Sequence, residues 1–100
     1  MWFDEITLIK ELYKEDEIGN QITDEVRTTV FCDKKSVTRS EFYNASTTGM
    51  KPSIVFVVHI YEYNDEVKIE YEGQIYNVIR TYIKNMDEIE LTCEKVISNV

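Results

Sequence analysis

Few residues in this chain carry reactive groups, and their spacing decides what chemistry is open to them. The one histidine, His59, lies inside the run Ile54–Tyr63, among Val, Ile and Tyr. A histidine so placed reads as a packed or interface residue. The two cysteines, Cys32 and Cys93, are far apart, form no CxxC pair and fall inside strand patterns. They read as small core residues. Cys and His lack metal-ligand spacing. The glycines at 19, 49 and 73 are isolated, so there is no glycine-rich phosphate loop. The acidic run Glu15-Asp16-Glu17 lacks the alternation of a calcium loop. No Ser or Cys has an evident partner base. The expectation is a protein that is not an enzyme and takes no cofactor or metal.

The polar connection Ser36–Phe56 is the more informative chemistry. Thr38 stands three residues before Glu41, the spacing at which a hydroxyl accepts from a backbone amide and opens a helix. Phe42 and Ala45 then share a helix face. Ser46, Thr47 and Thr48 are poor helix residues, and Gly49 can take the left-handed conformation that ends a helix. The pattern predicts a short helix over about 39–48, followed by an uncharged polar exit. Loops this long in a compact domain are usually functional or disordered.

Strand patterns surround that connection. Ile6–Tyr13 and Ile22–Asp33 alternate, separated by the polar turn Lys14–Gln21. Val26, Thr28, Val30 and Cys32 are expected on one face of the second strand. Ser53–Tyr63 is apolar on both faces: Ile54, Phe56, Val58 and Ile60 on one, and Val55, Val57, His59, Tyr61 and Tyr63 on the other. Such a strand must be covered twice, by the helix or by a neighbouring subunit. Val55, Val57, His59, Tyr61 and Tyr63 are therefore candidate interface residues. Val96 and Ile97 in the C-terminal segment join them as candidates for docking by strand addition.

Glu72-Gly73 predicts a two-residue hairpin that sets Tyr71 opposite Gln74, Ile69 opposite Tyr76 and Val67 opposite Val78. A second turn over Lys84–Asp87 brings Ile89, Leu91 and Cys93 beside Val78 and Tyr82. Glu88, Glu90 and Glu94 then form an acidic stripe on the other face. The reading is mainly β with a minor α contribution. It is a small antiparallel barrel or sandwich of five to six strands, with one short helix between the second and third.

One domain is expected from 100 residues, and 43% hydrophobic content supports a folded core. The net charge of −8 disfavours tight nucleic-acid binding, which needs basic surface. There is no apolar run long enough to span a membrane and no basic start of a signal peptide, so folding in a cytoplasm is expected.

The order of features resembles the head-tail joining (head-closure or stopper) family of long-tailed phages. The resemblance is carried by the DEITLIKE and EVRTTVFCDKKSV strands, Thr38-Arg39-Ser40-Glu41-Phe42, the Gly49-Met50-Lys51-Pro52 joint, the YEGQIYNVIRTY hairpin from Tyr71, and the final EIELTCEKV strand. It implies a virion protein, assembled in a bacterial host's cytoplasm. Copies would form a ring on the template of the portal and its adaptor (head completion) protein, close the DNA exit channel and present a surface for a tail-completion or tail-terminator protein. It also implies that Ser46, Thr47, Thr48, Gly49, Met50 and Lys51 correspond to a loop in transient contact with packaged DNA. The alternative is a monomeric acidic β-barrel interaction module that binds a basic protein.

Overall fold

The alternating run at the start of the chain, with its β-branched and long apolar residues, suits a pleated, half-buried surface. It forms β1 (Asp4–Glu15), and after a tight turn β2 (Gln21–Lys35) returns antiparallel to it. The computed structural model describes residues 2–47 and 49–96. The remaining elements are α1 (Arg39–Ser46), β3 (Pro52–His59), a 3-10 turn (Ile60–Glu62), β4 (Lys68–Tyr71), β5 (Gln74–Ile83) and β6 (Glu88–Lys95). The strands close into an antiparallel barrel in the order β1-β2-β3-β6-β5-β4. The closing seam pairs Thr7, Leu8 and Ile9 with Glu70, Ile69 and Lys68.

Side chains fill the interior of a closed barrel this small. Ile6, Leu8, Val30, Cys32, Phe56, Val58, Ile69, Tyr71, Ile89, Leu91 and Cys93 form one buried cluster. Phe56 sits among the rings, edge-on to Tyr71 at 5.2 Å and to Tyr76 at 5.8 Å. Both cysteines are free and fully buried, as their strand positions predicted.

The hairpin between β4 and β5 has the predicted register, with Tyr71 opposite Gln74 and Ile69 opposite Tyr76. Glu72 and Gly73 both have positive φ, 49° and 78°, which a tight turn matching the strand twist requires. The Val78 amide reaches the Val67 carbonyl at 2.9 Å, continuing that register past the strand.

Two expectations are corrected by the tertiary arrangement. The third strand does not run to Tyr63. The Ile60 amide is captured by the Asp87 carbonyl at 2.8 Å and the chain turns at Ile60–Glu62. Alternation stops there, so Tyr63 packs against the core, with its hydroxyl donating to the Glu66 carbonyl at 2.7 Å. Tyr82 does not share the face of Val78, Ile89, Leu91 and Cys93. A bulge between Val78 and Arg80 shifts the pairing with β6, setting Tyr82 opposite Glu90 and leaving it 56% exposed. Val26, Thr28, Val30 and Cys32 share one face of β2 as expected, but Val26 and Thr28 are exposed on it, because β3 pairs β2 only from Asp33 onward.

That last point shapes the molecule. β4 meets β1 only at Thr7–Ile9, and β3 meets β2 only at Asp33–Lys35. Beyond those seams β1 and β2 continue as a two-stranded ribbon, with no third strand beside it among the described residues. The molecule measures 50 × 31 × 24 Å with a radius of gyration of 15.1 Å. A compact chain of this length has about 13 Å.

Candidate functional site

The segment Ser46–Lys51 leaves α1 as a compact cap. Thr38 opens the helix as predicted, its hydroxyl accepting from the Glu41 amide at 3.2 Å. At the other end the Gly49 amide bonds to the Ser46 carbonyl and the Met50 amide to the Ala45 carbonyl, at 3.1 and 3.2 Å. Gly49 has φ of +82°, the left-handed residue on which this paired closure depends. The Ser46 and Thr47 hydroxyls turn back onto the Tyr43 and Asn44 carbonyls, at 2.9 and 2.8 Å. The Lys51 amide is held by the Glu94 carboxylate on β6 at 3.0 Å. Thr48 lies outside the described residues. The polar groups of this exit satisfy the helix end, and their bonds hold it against the barrel.

The helix covers the outside of the sheet. It packs on β3, and Glu41, Asn44 and Ala45 face Pro52, Arg80 and Thr92 across a shallow cleft. Thr92 lies on the outer face yet is only 8% exposed. The double cover expected of the third strand is thus supplied within the chain. Val55 and Val57 are 3% and 1% exposed. Lys35 and Glu90, their cross-strand neighbours, join at 3.0 Å above them. These two valines offer no surface to a partner.

The remaining interface candidates separate. His59 is half-buried and stacks with both Trp2, at 4.3 Å, and Tyr61, at 5.3 Å. Tyr61 is 77% exposed and is the candidate most open to a partner. Tyr63 is turned to the core as described. Val96 is half-buried, its amide donating to the Ile75 carbonyl and its own carbonyl accepting from the Gln74 side chain. Ile97 lies outside the described residues. The acidic stripe is occupied from within. Glu90 pairs with Lys35, Glu88 accepts from the Asn85 side chain at 2.7 Å, and Glu94 holds the Lys51 amide.

The element that stands clear of the barrel is the ribbon, Lys10–Glu15 and Gln21–Arg27 with its turn. An isolated two-stranded ribbon is marginal in water, so its base needs ties to the barrel. Arg27 reaches over β1 to Glu70 on β4 at 2.7 Å, and Lys68 pairs with Glu11, holding the Glu11 carboxyl below its usual range. The Lys10 ammonium donates to the Asn64 carbonyl at 3.1 Å. Ile9 lies among these ion-paired positions and is 2% exposed, although it is on the outer face of β1. At the tip the Asp16 carboxylate accepts from the Ile18 and Asn20 amides, at 3.0 and 2.8 Å. Gly19 takes φ of +84°, and Ile18 is left 82% exposed at the far end. Sequence reasoning read this region as strand, turn and strand and missed that it projects. A signal was present: between Lys10 and Thr29 the alternation never builds an apolar face.

Among the described residues, no three His, Cys, Asp or Glu side chains come together as a metal-ligand set. Burial pushes both thiols up to about 12, so neither is a thiolate nucleophile at neutral pH. Among the described residues, no helix is long and apolar enough to cross a membrane.

Fold and surface together define a small closed β-barrel carrying an outer helix and a projecting ribbon. No family model and no curated protein matches the chain. Among solved structures it is similar to the solution structure of protein SF1141 from Shigella flexneri 2a, a structural genomics target. The TM-score is 0.72 at 14% identity, over 94% of this chain and 92% of that one. At that identity the likeness establishes the fold.

Proposed function

We propose that the chain is a structural protein of a phage neck, one segment of a ring below the portal and adaptor that closes the DNA exit and receives the tail. The observation that carries this reading is the joint order of features. The capped helix Arg39–Ser46 sits between β2 and β3 of a small barrel, and the Tyr71–Arg80 hairpin follows in register. That is the arrangement the resemblance to head-tail joining proteins implies. The surface chemistry is compatible with it. The net charge of −8 would let DNA pass without sticking, and the exposed Tyr61 and Ile18 are apolar anchors of the kind interfaces use.

Within this reading, a gate built from Ser46–Lys51 has little reach, since the exit is folded back and tied to β6. The ribbon tip is the better candidate for contact at a distance. The alternative, a monomeric module using its acidic face, is less favoured because Glu88, Glu90 and Glu94 are already engaged within the chain.

Disruption of the gene in its parent phage or prophage, followed by negative-stain microscopy of the lysate, tests the reading. Separate tails beside tailless, mostly emptied heads are expected. Normal infectious particles would overturn it.

A further inference from the structure

We propose that the free edge of β2 pairs with the same edge of a second copy, as two antiparallel strands related by a two-fold axis at Val26. β1 pairs β2 along its whole length, whereas β3 pairs it only at Asp33, Lys34 and Lys35. Among the described residues, the other side of the strand has no partner strand between Gln21 and Cys32. Unpaired amides and carbonyls along such an edge are a template for another strand. The Glu25 amide donates to the Asp24 carboxylate at 2.9 Å, which marks Glu25 as directed away from β1. By alternation Arg27, Thr29 and Phe31 also turn their amides and carbonyls to the open edge.

The ribbon has a second open edge, β1 from Lys10 to Glu15, and composition separates the two. Four of its six residues are charged, Lys10, Glu11, Lys14 and Glu15, and the Lys10 side chain is tied across to Asn64. Charge blunts a sheet edge. The β2 edge from Gln21 to Cys32 has three charged residues in twelve, Asp24, Glu25 and Arg27, and carries Val26, Thr28, Thr29, Val30 and Phe31, residues that favour added strands.

The identity of the occupant follows from the sequence of the edge itself, Asp24-Glu25-Val26-Arg27-Thr28. Antiparallel self-pairing centred on Val26 sets Arg27 of each copy opposite Glu25 of the other, Val26 opposite Val26, and Asp24 opposite Thr28. Moving the axis to Arg27 puts Arg27 against Arg27, and moving it to Glu25 puts Glu25 against Glu25. Like charges directly opposite destabilise a strand pair and opposite charges stabilise it, so the register is selected. Arg27 retains donors for this, since its guanidinium is half-exposed and bonds Glu70 through one terminal nitrogen and Glu25 through Nε.

The length fits as well. About Val26, Asn20 falls opposite Cys32 of the second copy. The new ladder therefore ends one residue short of Asp33, where that copy's own β3 begins its pairing. Each ribbon tip would then lie beside the other copy's β3 end, where His59 and Tyr61 stand. This inference does not depend on the neck reading.

The test uses the full chain in sedimentation-velocity runs from micromolar to millimolar concentration. A reversible dimer is expected for the unaltered protein. Glu25→Arg and Arg27→Glu, each alone, should weaken self-association about tenfold or more by placing like charges opposite one another. Mixing the two variants should restore a dimer, because every facing pair is then of opposite sign. Since Arg27 also ties the ribbon to Glu70, circular dichroism first confirms that each variant folds. Val26→Cys supplies an independent arm. The axis places the two introduced thiols face to face, and mild oxidation should cross-link them while the buried native cysteines stay reduced. A chain that remains monomeric throughout overturns the proposal and leaves the edge to a strand of another protein. A dimer indifferent to the charge variants, or one that Val26→Cys cannot cross-link, overturns it too.

Discussion

Replacing Phe56 with alanine is expected to cost about 3–5 kcal/mol, a large share of the whole stability of a domain this size. The side chain is fully buried, and its ring meets Tyr71 and Tyr76 edge-on at 5.2 and 5.8 Å. Truncation removes the apolar contacts and leaves a void that a closed barrel has little freedom to collapse. Both tyrosine rings also lose their edge-to-face partner, an effect beyond area alone. For a domain of about 100 residues the loss corresponds to a fall of roughly 15–30 °C in melting temperature. Thermal and urea denaturation followed by circular dichroism measure it. Phe3→Ala is the control, because Phe3 is 78% exposed and its truncation should change stability by less than about 0.5 kcal/mol. A loss below about 1 kcal/mol at Phe56 would contradict its place at the centre of the core.

Stability is also expected to fall steeply in alkali. Burial raises the Cys32 and Cys93 thiols from 9.0 to about 12, and burial with Asp65 and Glu66 nearby raises the Tyr63 phenol from 10.0 to about 12. In the unfolded chain these groups lose their protons near their ordinary values, while in the folded chain they keep them. Their contribution is therefore fully present below pH 9, and is lost as pH rises from 9 to about 12. A single thiol held from 9.0 to about 12 contributes up to about 4 kcal/mol at the limit, so the combined loss amounts to several kcal/mol. Urea midpoints taken at about pH 8 and about pH 11 should separate widely for the native chain. The double variant Cys32→Ala/Cys93→Ala should start lower and show a clearly shallower decline. Equal declines in the two proteins would mean that the thiols are ionised in the folded state.

Local order in this protein is written in short stretches of sequence. Thr38 and Glu41 set the helix start, Gly49 sets its end, and Glu72-Gly73 fixes the β4–β5 register. Each depends on groups no more than five residues apart, so no distant partner is needed. The two-faced apolar run Ile54–Val58 likewise announces a strand covered on both sides.

What the sequence left open is which distant group does the covering and where each pairing stops. Val55 and Val57 read equally well as subunit contacts until the helix and the Lys35–Glu90 bridge are seen above them. Tyr82 points outward because one bulge reverses the alternation, and Tyr63 turns inward because Asp87 captures Ile60. The projecting ribbon and its open edge exist because β3 and β4 are shorter than β1 and β2. The extent of a ladder depends on two strands at once, and only the closed barrel specifies both.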